Sequence, residues 1–256
     1  MDEPIGATSR DFVTALARGI EVLSACGGHE GGVTLADAAR LTGLSRATVR
    51  RSLITLAEMG YVAADGRLFS LTPKVLTLAG GYLRAMPLAR QAQPVLDRIS
   101  QELGESCSLA VLDGEQIIYV ARAETRRIIS VDLAVGSRLP AFCTSMGRVL
   151  LAALPVEECV RRLAGKRLEA LTEHTVTDPA VLLALLADIR DAGFCLVDQE
   201  LELGLRSMAV PVRNASGRVV AAINVSTQVS RVSEEHLRSV ILPVMIEASR
   251  SLQHGM

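Results

Sequence analysis

Tryptophan is absent from these 256 residues, and tyrosine and phenylalanine together supply only 3% of them. Any core must therefore be aliphatic, built from the Leu, Val, Ala and Ile that dominate a 49% hydrophobic chain. Lysine is nearly missing too: it occurs only at Lys74 and Lys166, so positive charge is almost wholly arginine. Arginine's planar fork suits phosphates and guanine edges, although GC-rich coding produces the same bias. An excess of charge of either sign is also lacking. With a formal net charge of −1, no global field draws this chain onto nucleic acid, and a DNA contact must come from a local patch. Cysteine pairs are missing as well. Cys26, Cys107, Cys143, Cys159 and Cys195 are odd in number and scattered, without a CxxC. That gives no support to a disulfide framework or a cysteine zinc site and points to a reducing compartment. The acidic start MDEPIGATSRDF is unlike a secretory signal, and no run of ~18 apolar residues could span a bilayer. A cytoplasmic protein with no membrane contact is expected. At this length two domains are expected, each able to bury its own core.

What is present falls into two blocks. Ser9 is a plausible N-cap for a helix to Ala25, with Phe12, Leu16, Ile20 and Leu23 at helical spacing on an inward face. After the GGHEGG loop, Thr34 caps a short helix through Leu41 in which Leu35, Ala38 and Ala39 face inward. Thr42-Gly43-Leu44 turns the chain, and Ser45 caps a third helix to about Met59. Tyr61–Ala63 and Arg67–Leu71 then flank Asp65-Gly66, a hairpin signal because that pair tolerates positive φ. Three helices and a hairpin make a winged helix-turn-helix. A linker helix follows from Leu71 to about Arg84, broken by Met86-Pro87. The second block begins with a helix from Leu88 to Leu103. Strands are expected at 106–112, 116–121 and 127–133, then helices at 145–153, 155–164 and 179–192. Three more strands follow, at 194–197, 206–213 and 219–227, before a last helix at 233–252. This pattern predicts an α+β domain with a mixed or antiparallel sheet. The expected boundaries are 1–71 for the DNA-binding domain, 72–87 for the linker helix and 88–256 for the second domain.

In the third helix Val49, Leu53 and Leu56 form an inward stripe, which leaves Ala47, Arg50 and Arg51 facing out. The stretch LSRATVRR carries Arg46, Arg50 and Arg51 with no acid, beside the hydroxyls of Ser45 and Thr48. A helix entering a major groove needs this set: arginines for guanine and phosphate, and small polar residues for close approach. Arg67 in the wing and Arg10 before the first helix are further candidates for phosphate or minor-groove contact. A solvated arginine face is the plainer reading of the charge alone. The neighbouring short helix, turn and wing favour DNA.

In the second domain, Pro140–Gly147 leads directly into a helix whose unsatisfied N–H groups could seat a carboxylate. The polar stretch Asp198–Ser207 and the strand end Asn224–Ser226 could complete a cavity for a small organic acid. Alternatively, Thr144 and Ser145 merely cap the helix, and Asp198 and Glu200 form a solvated turn. Arg122 is either a buried counter-ion or a surface residue. An enzymatic reading, a hydrolase with an appended helix-turn-helix, would use Cys143 or Cys107 as nucleophile and His29, His174 or His236 as base. No nucleophile elbow, phosphate loop or HExxH is present to support it, so no catalytic residue, metal or cofactor is assigned. The run Cys26-Gly-Gly-His29 has metal-like spacing but stands alone.

The stretches FVTALARGIEVL, LTGLSRATVRRSLITLAEMGYV, LTPKVLTLAGGYL, RLPAFCTSMGRVLLA, LTEHTVTDP and LVDQELELGLRSMAVPVRN, in this order, resemble the IclR family of transcription regulators over essentially the whole chain. The branch most resembled is that of the Pca and Pob regulators of aromatic-acid catabolism. The resemblance implies a winged helix-turn-helix, a linker helix and a GAF-like effector domain. It also implies homodimers or dimers of dimers on palindromic operators, with RNA polymerase as a further partner. Carried over residue by residue, the effector site would use the backbone of Ser145, Met146 and Gly147 with Asp198, Ser207, Asn224 and Ser226. Ser207 stands where some relatives have cysteine. The implied effector is β-ketoadipate, protocatechuate or a related aromatic acid.

Overall fold

The computed structural model describes residues 11–29, 31–125 and 133–253. The expected N-cap at Ser9 and the candidate Arg10 lie outside the described residues. The chain divides into two compact units between Arg84 and Ala85.

The first unit runs α1 (Thr14–Ala25), β1 (Val33–Thr34), α2 (Leu35–Thr42), α3 (Arg46–Glu58), β2 (Val62–Asp65), β3 (Leu68–Leu71) and α4 (Val75–Ala85). Thr34 starts α2 through a reciprocal capping box: its hydroxyl accepts from the Asp37 N–H, while the Asp37 carboxylate accepts from the Thr34 N–H. Ser45 starts α3 with a one-way cap, its hydroxyl accepting from the Thr48 N–H at 3.2 Å. Val49, Leu53 and Leu56 are the buried residues of α3, packed with Val22, Ala38 and Val62 into one aliphatic core. In the wing, Asp65 pairs with Leu68, so the two turn residues are Gly66 and Arg67. Gly66 takes φ +59° there, a left-handed conformation that costs glycine little.

The expected inward face of α1 is corrected. Val22 is its buried residue, whereas Leu16 and Ile20 are 62% and 55% exposed and Leu23 is half-buried. The amphipathic stripe exists, but most of it faces away from the core of this unit. Removing buried volume from that core leaves a cavity, so Leu53→Ala is expected to lower stability by ~2–5 kcal/mol. A urea or thermal melt measures the loss.

The second unit contains α5 (Pro87–Leu103), β4 (Ser106–Asp113), β5 (Gln116–Ala123), β6 (Arg138–Pro140), α6 (Ser145–Ala152), α7 (Val156–Leu163), α8 (Pro179–Ala192), β7 (Cys195–Asp198), β8 (Leu205–Arg213) and β9 (Val219–Gln228). It closes with α9 (Glu234–His236), a π-helical turn (Leu237–Ile241) and α10 (Leu242–Gln253). The strand expected at 127–133 falls almost wholly outside the described residues. The short β6, which pairs with Gln116–Ile118, was not expected. All neighbours are antiparallel in the order β6-β5-β4-β9-β8-β7. Long runs of β4, β8 and β9 are buried without alternation, as strands covered on both faces must be. Ala110, Ala209 and Ala222 share a core with Met146, Val149 and Leu150 of α6. The alternate residues Leu109, Met208 and Ile223 turn to the face carrying α5 and α10. This is the α+β architecture expected.

Candidate DNA-reading face and effector cavity

Ser45, Arg46, Arg50 and Arg51 are exposed on the outer side of α3, and Thr48 is half-buried beside them. Among the described residues none of these arginines enters an ion pair, whereas many arginines elsewhere do. Their donors are available to a partner. Arg67 is exposed at the wing turn. The structure thus brings five of the seven sequence candidates onto one helix and a sixth to the wing, leaving Arg10 outside the described residues. Thr48 and Arg51 also border an apolar groove between α1 and α3 that is lined by Leu16, Ile20, Met59 and Leu78.

The second site is a cavity of about 250 Å³ on the α6 face of the large sheet. Strand register decides which side chains reach it. Ser106, Ser226, Ser207 and Val197 are successive partners across β4, β9, β8 and β7, and all four line the cavity. Asn224, two residues from Ser226 on β9, joins them. Asp198, one residue beyond Val197, therefore faces the other way. Its carboxylate accepts two bonds from Arg206, from Nε at 3.0 Å and Nη2 at 2.8 Å, and lies outside the cavity. The pair raises the Arg206 pKa, chiefly through the Asp198 hydrogen bonds.

Four polar side chains form a connected cluster. Ser145 Oγ lies 2.7 Å from Ser207 Oγ, and Asn224 Nδ2 donates to Ser207 Oγ and Ser226 Oγ, each at 3.0 Å. This placement of the amide satisfies two donors and leaves Oδ1 buried without a partner. Stranding one acceptor is the cheaper choice. Ser207 Oγ donates to the Val225 carbonyl at 3.3 Å and accepts from Asn224, so Ser226 is the hydroxyl whose proton is least committed. The proton of Ser226 has only a weak 3.5 Å contact to Ser207. At the start of α6 the Thr144 hydroxyl donates to the Pro140 carbonyl and does not cap the helix. The cluster and the helix start therefore present donors, which suits an anion.

Of the residues that the resemblance assigned to an effector site, Ser145, Met146, Ser207, Asn224 and Ser226 line this cavity, whereas Gly147 and Asp198 do not. Gly147 serves a packing purpose: a Cβ there would lie 2.2 Å from the Ala141 carbonyl oxygen. Arg122 and Tyr119 also line the cavity. A bulge in β5 makes this possible, since Ala121 pairs with Leu109 but Tyr119 pairs with Ala110, leaving Val120 as the extra residue. Two residues three apart thus share one face. Desolvation pushes the Tyr119 phenol up to about 12, with Arg122 pulling the other way.

Glu200, for which a solvated turn was the alternative reading, is buried in a bidentate pair with Arg148 of α6, both N···O distances being 2.6 Å. Arg148 Nε donates to the Phe142 carbonyl, and Glu200 Oε2 also accepts from the Val176 N–H. Thr172 and Thr175 donate to the carbonyls of Gln199 and Glu200. Three of the stretches that carry the family resemblance meet here. The one signal in the sequence is an arginine inside the apolar run SMGRVLLA. Breaking one half of such a pair strands a buried charge, so Arg148→Met is expected to cost ~3–5 kcal/mol. Pairing it with Glu200→Leu should recover much of that loss in a denaturant melt.

The enzymatic candidates fare differently. Burial pushes the Cys107 and Cys143 thiols up to about 12, the opposite of nucleophile activation. No histidine lines the cavity. Cys26 is a core residue of the first unit. Among the described residues no group of His, Cys, Asp or Glu is placed to hold a metal, and no helix is long and apolar enough to cross a membrane.

Unpaired arginines on a wing-flanked helix and a donor-lined cavity in a separate unit belong to one class, the ligand-responsive DNA-binding regulators. Residues 15–66 match the IclR helix-turn-helix domain, and residues 80–254 match the C-terminal domain of the bacterial transcriptional regulator IclR. The chain belongs to the IclR family of transcription regulators, in the branch of the Pca and Pob regulators. It is 51% identical over 245 residues to the Pca regulon regulatory protein of Pseudomonas putida, covering 95% of this chain and 84% of that protein. A double mutant of the PobR inducer-binding domain from Acinetobacter, solved with 3-hydroxybenzoic acid, superposes with a TM-score of 0.61 at 33% identity, covering 64% of this chain and 96% of that one. An IclR homologue from Microbacterium hydrocarbonoxydans, solved with 4-hydroxybenzoate, gives 0.78 at 26% identity, covering 94% of this chain and 98% of the other.

Proposed function

We propose that this regulator works in the cytoplasm, reads a palindromic operator in double-stranded DNA through paired α3 helices, and is controlled by a small organic acid of aromatic-catabolic origin. The observation that carries the effector reading is the cavity of about 250 Å³ whose hydroxyl cluster and helix start offer donors. The hydroxybenzoates held by two relatives support an aromatic acid. The residues we assign to effector binding are Ser145, Met146, Ser207, Asn224 and Ser226, with Arg122. Those assigned to DNA are Ser45, Arg46, Thr48, Arg50, Arg51 and Arg67. We take residues 1–71 as the reading domain, 72–87 as the linker helix and 88–256 as the effector domain.

Dimerisation is supported by large apolar side chains left exposed on the first unit: Leu16 and Ile20 on α1, and Leu76, Leu78 and Tyr82 on α4. Apolar patches of that kind seldom remain in water. A hydrolase with an appended helix-turn-helix has no support, since the candidate thiols are held protonated by burial. Effector binding acts on the equilibrium between conformations that fit and misfit two half-sites, whose spacing is set by the DNA turn. By linkage, an effector that shifts operator affinity tenfold must itself bind tenfold differently to the DNA complex, ~1.4 kcal/mol. Equal effector affinity with and without operator would leave altered contact with RNA polymerase as the route of control.

Two measurements test this. Aromatic acids and their ring-cleavage products, screened by thermal shift, should include one that raises the melting temperature, the folded state gaining ~2.7 kcal/mol at a hundredfold excess over Kd. Arg51→Ala should keep its circular dichroism and lose ~1–3 kcal/mol of operator binding per half-site, or flatten the salt dependence if the contact is to phosphate. Unchanged footprinting by the folded variant would remove Arg51 from the interface.

A further inference from the structure

The outer edge of β5 is only partly covered. β6 pairs with it at Gln116–Ile118, and Tyr119 donates to the Ser137 carbonyl and accepts from the Gly136 N–H. Past the bulge at Val120, no strand among the described residues pairs with that edge. The bond there comes from a helix. Gln93 of α5 donates from Nε2 to the Arg122 carbonyl at 2.9 Å, across 29 positions of sequence. Arg122 is also the residue whose side chain lines the cavity, with its Nε fastened to Glu124 two positions along. A pull on this guanidinium is therefore passed to its own backbone, and so to the carbonyl that Gln93 holds.

The Gln93 amide has a second acceptor. The same Nε2 lies 2.9 Å from Asp97 Oδ1, one helical turn on. It can keep both bonds or fall back on Asp97 alone, a discrete alternative of the kind that coupling between sites requires. Two prolines define the segment that responds. Pro87 opens α5 one residue after α4 ends, and Pro94 lies inside the helix directly after Gln93. Pro94 has no N–H to give the Arg90 carbonyl, and its ring crowds that carbonyl, so α5 is weakest there. Residues 87–93 thus form a short piece able to tilt by itself. Gln93 ties it to the cavity wall, and Met86 joins it to the linker helix.

We propose that Gln93 is a positioning residue, a latch on the Arg122 carbonyl that opens when the cavity fills and frees residues 87–93 and the linker helix. This rests on the reading of the cavity as the effector site. The cavity lies on the α6 face of the sheet, whereas α5 packs on the other. An acid that draws the Arg122 fork inward therefore draws its carbonyl away from α5. The amide stays on Asp97, and the leading turns of α5 move about Pro94.

The test is hydrogen exchange, read by mass spectrometry on the full-length protein. The probes are 4-hydroxybenzoate, protocatechuate and β-ketoadipate, of which the one that binds most tightly by calorimetry is used. In the wild type the bound acid should slow exchange in the cavity strands and speed it over residues 75–93 by about threefold or more. Gln93→Met removes the donor but keeps the length and the helix propensity. Without acid it should already exchange about threefold faster over 75–93, and acid should add less than about 1.5-fold, while acid affinity stays within about threefold. Gln93→Lys, which restores a donor, should behave as the wild type. A thermal melt verifies folding, and Gln93→Glu, an acceptor in place of the donor, is the second loss variant if Gln93→Met does not fold. The proposal is overturned by a wild type whose 75–93 exchange ignores the bound acid, or by a full response in the folded loss variant. A tenfold loss of acid affinity there, or no rescue by folded Gln93→Lys, overturns it too. If none of the three acids binds the wild type, the effector reading itself fails and takes the proposal with it.

Discussion

The buried pair between Arg148 and Glu200 is the constraint on which the effector unit depends. Two charges withdrawn from water are costly unless every lone pair and proton finds a partner. Here Nη1 and Nη2 meet the two carboxylate oxygens, Nε meets the Phe142 carbonyl, and Oε2 takes the Val176 N–H as well. Satisfying the pair therefore ties α6 to the loop before it, to the turn after β7 and to the segment around Val176. Two of those segments also form the cavity, through Cys143 and Thr144 on one side and Leu201 and Glu202 on the other. The ion pair holds the walls. It does not touch the ligand space itself, since neither residue lines it.

A different economy governs the reading unit. Its core is aliphatic and continuous, and among the described residues the arginines of α3 enter no ion pair. Charge that is neutralised internally cannot release counterions from DNA, so bare guanidinium groups are functionally useful where paired ones would not be. The capping interactions at Thr34 and Ser45 define where α2 and α3 begin. They thereby fix which residues of LSRATVRR form the first exposed turn. Local sequence and function coincide in this unit more directly than in the other.

In the effector unit a β-sheet intervenes between sequence and site. Side chains alternate across a strand, so a carry-over displaced by one residue changes face entirely. Asp198 illustrates the sensitivity: its neighbour Val197 lines the cavity while Asp198 pairs with Arg206 outside it. The bulge at Val120 breaks the alternation in the opposite sense and admits both Tyr119 and Arg122. Gly147 shows a third case, in which a residue within the family motif serves the packing of the helix on Ala141 and not the ligand.

The sequence alone determined the features whose causes lie within a few residues. The Val49, Leu53 and Leu56 spacing placed the arginines of α3 outward, and Pro179 to Ala192 formed the helix its caps define. The α+β class and most strands of the sheet were legible from changes of hydrophobic period. The segments holding Ser145, Ser207, Asn224 and Ser226 stood out as polar stretches, but family resemblance was needed to select those residues within them, because the spacing of serines along a chain says nothing of which strands are neighbours. Tertiary structure alone decided that the α1 stripe faces away from its own core: amphipathicity reports that a face seeks burial, not what covers it. It alone paired Arg148 with Glu200 across 52 positions of sequence and turned Arg122 inward. Partners for buried charge and the face presented by a bulged strand are fixed by long-range register, which no local pattern encodes.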